Sequence, residues 1–151
     1  MGTRRMRIEE LSLTEVESIV PLAKEMLIEI GDKKPLNETF FVGTVRIAID
    51  RNSGAVWVAR DEKGICGVFM ALSFPSIFTG KLMASLLFGY IVPEHRGKLG
   101  IRMFREFDDW AAARKAETSI AGINHAMPEG NAKIYAGMGY MPIETMWVRE
   151  K

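Results

Sequence analysis

Residues 91–102, IVPEHRGKLGIR, join an apolar run, a proline, an Arg-Gly-Lys turn and the start of an amphipathic stretch in one short segment. The chemistry this order suits is the holding of phosphates. Residues 86–92 read as a buried strand, and Pro93 closes it because proline has no N–H to give to the ladder. Gly97 and Gly100 let the chain turn tightly. A helix starting near Leu99 then aims its unpaired N–H groups and the positive end of its dipole into the turn, where a pyrophosphate would sit.

A second segment supports the first. Residues 131–142, NAKIYAGMGYMP, place an Asn at the start of a short helix, Tyr135 on it, and Gly139 and Tyr140 at its end. Together the two strings resemble GCN5-related N-acetyltransferases (GNAT): VPEHRGKLGIR is similar to that family's acyl-CoA-binding signature, V-x-P-x-x-R-G-x-G-x-G-R, and NAKIYAGMGYMP to its closing motif. The resemblance is carried by residues 88–142; before them only the order of elements agrees. The glycine loop departs from the family's Gln/Arg-x-x-Gly-x-Gly/Ala, since the fourth and sixth positions from Arg96 are Leu99 and Ile101. A loop one residue shorter than usual accounts for this, at the cost of one N–H donor and the middle glycine.

The resemblance implies acetyl transfer from acetyl-CoA to an amine by direct attack on the thioester. It assigns the thioester carbonyl and its oxyanion to the backbone N–H groups of Ile91 and Val92. The pyrophosphate falls to the backbone of Arg96, Gly97, Lys98, Leu99, Gly100 and Ile101, with Arg96, Lys98 or Arg102 adding charge; Lys98 fits a solvent-facing position equally well. Tyr135 is the implied acid for the departing thiolate, against the plainer reading of a core tyrosine. Asn131 reads as a helix N-cap that also touches the CoA arm. No carboxylate lies on residues 83–92, so the general base falls to His125, which titrates in the right range, or to a water relay. Glu94, His95 and Glu129 read as solvated.

Nothing in the sequence names the acceptor. The segment 31–41, GDKKPLNETFF, is where the family shapes its acceptor pocket, yet Asp32 and Glu38 read as a turn residue and a first-turn acid. A degenerate GNAT-fold protein that binds CoA or another ligand without catalysis also accounts for the short loop and the missing carboxylate. A different nucleotide-binding fold finds neither GxxxxGK[ST] nor G-x-G-x-x-G. Two histidines and one cysteine are too few and too scattered for zinc, so no metal is expected.

Around these residues the chain reads as one domain over residues 1–151. Its net charge of +1 gives no footprint for nucleic acid. The single cysteine, Cys66, reads as a small core residue in a reducing, cytoplasmic compartment. Apolar stretches at 67–78 and 82–93 fall short of the ~20 residues a membrane span needs. A first strand is predicted over 5–11, then a helix opened by Ser12 and Glu15 as a capping box and ended by Gly31. Asn37 opens a second helix with Phe40, Phe41, Thr44, Val45 and Ala48 facing inward. Strands follow at 55–60, 65–73 and 82–92, then a helix over 99–115, a strand over 118–125, a helix over 131–138 and a last strand over 141–149. The fold class expected is α/β, a mixed and mostly antiparallel central sheet flanked by helices, as in the GNAT-like acyl-CoA N-acyltransferase fold. Met146 and Trp147 on the last strand fit either the core or the interface of a homodimer.

Overall fold

A computed structural model of the chain describes residues 6–122 and 129–150. Its elements run β1 (Arg7–Glu10), a 3-10 turn (Leu13–Ile19), α1 (Val20–Glu29), α2 (Glu38–Asp50), β2 (Gly54–Asp61), β3 (Gly64–Pro75), β4 (Leu82–Ile91), a 3-10 turn (Pro93–His95), α3 (Lys98–Ala113), β5 (Thr118–Ala121) and α4 (Glu129–Gly137). This is the expected mixed α/β architecture. The sheet has the order β1-β2-β3-β4-β5, with the first four strands antiparallel and β5 parallel to β4. Among the described residues no helix is long and apolar enough to cross a membrane.

Both faces of the sheet are covered, which is why the middle of β2 is buried on both sides rather than on alternate residues. Val56, Val58, Val68, Met70 and Tyr90 pack under Val16, Ile19, Leu22, Val42 and Val45 of the first helical layer. Trp57 and Phe69 face the other way, onto Met103, Phe104 and Phe107. That side is supplied by α3, whose buried positions recur at three- and four-residue steps.

Three departures from the sequence reading have physical causes. The helix expected after Ser12 is split, because Pro21 lacks an N–H and its ring crowds the preceding turn. The Val20 N–H closes on Glu17 instead, in 3-10 geometry, and the Ser12 hydroxyl donates to Glu15 Oε1 at 2.9 Å rather than capping a backbone N–H. On α2, Asn37 does cap, its Oδ1 accepting the Phe40 N–H at 3.0 Å. The buried stripe there is Val42, Val45 and Ala48, which rolls Phe40 outward to 72 % exposure. The third departure is the last strand: residues 141–150 form none. Pro142 has no donor for a ladder, and the apolar residues Ile143, Met146, Trp147 and Val148 do not keep a period of two.

Candidate functional site

β4 is paired to β3 along its length but to β5 over four residues only, from Met83↔Thr118 to Leu86↔Ala121. At the next residue the β3–β4 register slips: Ala71 faces Leu86, Met70 faces Phe88, and Leu87 is left unmatched. A bulge of this kind bends its own strand and sharpens its twist. So β4 turns away at the residue where β5 lets go. Among the described residues no strand pairs with 87–91 on the β5 side, and a wedge opens there. The Val92 N–H donates to the Cys66 carbonyl at 2.9 Å. By the alternation of an antiparallel ladder, the N–H and C=O of Ile91 therefore face the wedge. Of the two amides expected to serve an oxyanion, the structure aims that of Ile91 at the opening and commits that of Val92 to the sheet.

The glycine turn follows directly. Arg96 does not reach for solvent: its Nε donates to the Ile91 carbonyl at 2.9 Å and its Nη2 to Glu29 Oε1 at 2.7 Å. Its guanidinium also stands 5.5 Å from the centre of the Tyr90 ring, whose hydroxyl donates to the same Glu29 oxygen at 3.3 Å. The Arg96 hydrogen bond holds the Glu29 carboxyl below its ordinary range, and Glu29 in turn raises Arg96. Burial, then the neighbouring Glu29 charge, pushes the Tyr90 phenol up. Glu29 is the carboxylate that sequence reading did not find, because it lies 61 positions before Tyr90 on another element.

Gly97 sits at φ 117°, a conformation that favours glycine, and caps α3. Lys98 is exposed at the first helical position, while Leu99 and Gly100 are buried and Ile101 is half-buried. The Gly100 N–H is bonded to the Gly97 carbonyl at 3.0 Å, and a Cβ there would touch Ile134 and Ile91. The donors at the head of α3 are thus the amides of Lys98 and Leu99. Arg102, another expected source of charge, donates to the Met6 carbonyl at 3.0 Å. Sequence order groups all of these as phosphate ligands; the structure divides them into a turn that faces out and a helix face that packs in.

Tyr135 lies on α4, its hydroxyl donating at 3.0 Å to the carbonyl of Gly122, just past the end of β5. Its ring packs 4.8 Å from that of Phe104, and burial pushes its pKa up to about 12. Asn131, expected at the helix N-cap, lies inside α4 because the helix already begins at Glu129. His125 lies outside the described residues. Below the turn, His95 Nε2 and Asp61 Oδ2 are 2.8 Å apart, and the His95 hydrogen bond holds the Asp61 carboxyl low. Cys66 is buried beside them, its thiol raised by burial and by Asp61. One cysteine, one histidine and one aspartate, scattered in sequence, thus have their ligand atoms within 4.8 Å of one another.

Over nearly its whole length the fold is similar to that of solved acetyltransferases. A predicted acetyltransferase from Clostridium acetobutylicum, solved with acetyl-CoA, superposes with a TM-score of 0.80 at 16% identity, over 97% of this chain and 96% of its own. The fold is that of the GCN5-related N-acetyltransferases. A protein of that description from Ralstonia eutropha matches at TM-score 0.74 and 17% identity, over 97% of this chain and 99% of the other. The ribosomal-protein-alanine N-acetyltransferase of Brucella melitensis matches at 0.73 and 16%, with the same coverage. No family model and no curated protein matches the sequence. The two sequence motifs meet at Gly100, where a Cβ would touch Ile91 and Ile134.

Proposed function

We propose that the protein transfers an acetyl group from acetyl-CoA to an amine. The observation that carries this is the wedge: β4 bends away from β5 at Leu87, turns the Ile91 amide outward, and leads straight into the glycine turn before α3. A protein of the same fold was solved with acetyl-CoA. In this reading the cofactor's thioester lies along the open edge of β4, and its pyrophosphate meets the turn of Arg96, Gly97 and Lys98 and the amides of Lys98 and Leu99.

The amine nitrogen attacks the thioester carbon, and the developing oxyanion accepts the Ile91 N–H. The C–S bond then breaks and the sulfur leaves as a thiolate. Tyr135 is the proposed partner of that sulfur. A thiol titrates near ~8.5, whereas Tyr135 stands at about 12, so the phenol keeps its proton at equilibrium. To act on the departing thiolate the phenol exchanges its bond to the Gly122 carbonyl for one to sulfur, and the proton that ends on CoA comes from the nitrogen that attacked. His125 stays a candidate for relaying that proton.

The degenerate reading, binding without turnover, draws on one observation: Arg96 and Arg102 are held by protein carbonyls and Glu29, which takes charge away from a phosphate. Calorimetric titration with acetyl-CoA, with ATP and NAD as controls, decides whether the cofactor binds. Release of CoA thiol with amines then separates the two readings. Tyr135→Phe is expected to lower kcat by about tenfold to a hundredfold, the worth of a hydrogen bond to a charged group, with acetyl-CoA affinity little changed. Wild-type turnover that is unaltered in this variant removes Tyr135 from the mechanism.

A further inference from the structure

On the face of the sheet opposite α3, a cavity of about 280 Å³ opens between α1, α2 and the β3–β4 pair. Its wall presents no polar surface, and Met26, Leu27, Leu36, Phe41, Leu87 and Phe88 form most of it. The space is an open apolar groove, Leu87 on its wall being half exposed, so an apolar group that fills it gains by leaving water. The bulge ties the cavity to the transfer edge, because Leu87 and Phe88 line it while Ile91 closes the same strand. Carboxylates stand at one end. Tyr90 follows Phe88 on the same face of β4 and bonds Glu29, which is one helical turn from Met26. Glu25 lies four positions before Glu29 on the same side of α1, is exposed, and among the described residues has no ion-pair partner.

From this geometry we infer the acceptor class: a cationic amine carried on an apolar group of about phenylethyl size, the apolar part in the cavity and the ammonium toward Glu25 and Glu29. The inference rests on the acetyl-transfer reading. An apolar wall discriminates by what it refuses, since a hydroxyl or second ammonium placed there loses its water and gains no partner. Polyamines and amino sugars are therefore poor fits. Glu29, held low and already paired with Arg96, is a weak base whose charge is spent there, so the attraction for the cation falls to Glu25, with Glu29 a hydrogen-bond acceptor beside it.

The test compares phenethylamine, n-hexylamine and a tripeptide beginning with phenylalanine against spermidine and glucosamine, in CoA-release assays and by calorimetry on cofactor-free protein. Two variants accompany them. Thr44→Phe projects a ring into the cavity from an exposed position on α2, and Glu25→Gln removes one exposed charge. Expected are a kcat/KM at least about tenfold higher for the apolar amines, and its loss by a similar factor in Thr44→Phe while acetyl-CoA affinity is kept. Glu25→Gln raises KM for the same amines. Preference for the tripeptide over phenethylamine assigns the acceptor to a peptide amino terminus, and the reverse to a free amine; either supports the class. If acetyl-CoA binds but spermidine or glucosamine is used as well, or Thr44→Phe changes nothing, the acceptor class is wrong and acetyl transfer stands. If acetyl-CoA does not bind, acetyl transfer falls, and calorimetry decides the cavity alone: phenethylamine binding abolished by Thr44→Phe sustains an apolar-amine site, and no binding overturns it.

Discussion

Arg96 carries two possible jobs in sequence and one in structure. Beside a glycine turn it reads as a phosphate ligand, yet its guanidinium fastens the Ile91 carbonyl to Glu29 at the end of α1. Side-chain direction is what the sequence could not supply. The pair makes a pH prediction. Glu29 titrates below its ordinary value near 4.5 when folded, because Arg96 bonds it. A carboxyl depressed in this way contributes stability that is complete above its unfolded pKa and is lost as pH falls through the folded one. Glu29→Gln is therefore expected to cost about 0.5–1 kcal/mol at pH 7, reduced by the partial exposure of Arg96. In urea unfolding the difference from wild type should be complete above that ordinary Glu range and shrink as pH falls below it, vanishing once Glu29 is protonated in the folded state as well; a gap that does not shrink assigns the cost to packing. Tyr135, at about 12, makes the complementary prediction that no loss of turnover up to pH 10 follows from its ionisation.

At the scale of elements, two glycines near the site differ in why they are needed. Gly97, at φ 117°, has open space where a methyl group would stand, with no atom within 4 Å, so its requirement is the backbone alone. Gly89, on β4, would place a Cβ 2.7 Å from the Phe69 ring. Both Ala variants are expected to lose about 1–3 kcal/mol in chemical unfolding, but only Gly89→Ala should be relieved by Phe69→Leu, which removes the ring. Failure of that rescue would mean the close approach is not what Gly89 serves. The elements themselves are largely legible: the Asn37 cap, the apolar runs of β2 to β4 and the stripe of α3 are each written in consecutive residues. The Leu87 bulge is not, because it exists only as a mismatch with β3, about fifteen to eighteen positions away in the chain. The cavity beneath it escapes for the same reason.

For the molecule as a whole, the informative region is the C-terminal segment, where the sequence predicts a strand. Trp147 there is 92 % exposed, whereas Trp57 is buried and Trp110 packs edge-on against it. Trp147→Phe is accordingly expected to remove the water-exposed, red-shifted part of the fluorescence. A blue-shifted loss would show the segment covered, and sedimentation would tell whether a second copy of the chain covers it. Sheet order and helix layers follow from sequence because local pattern and burial agree. The terminus does not, because its apolar residues lack both a strand's alternation and a paired edge among the described residues.

The short β4–β5 pairing has a consequence for handling the protein. Backbone groups on an uncovered strand edge will pair with whatever peptide arrives, including a neighbouring molecule, and so seed aggregation. The bulge blunts this by twisting the edge out of line, and Arg96 holds the Ile91 carbonyl, but among the described residues no strand covers Gly89 and the Ile91 N–H on that edge. A bound ligand lying along that edge would shield it, so solubility and colloidal stability should depend on occupancy, with the empty protein the stickier form.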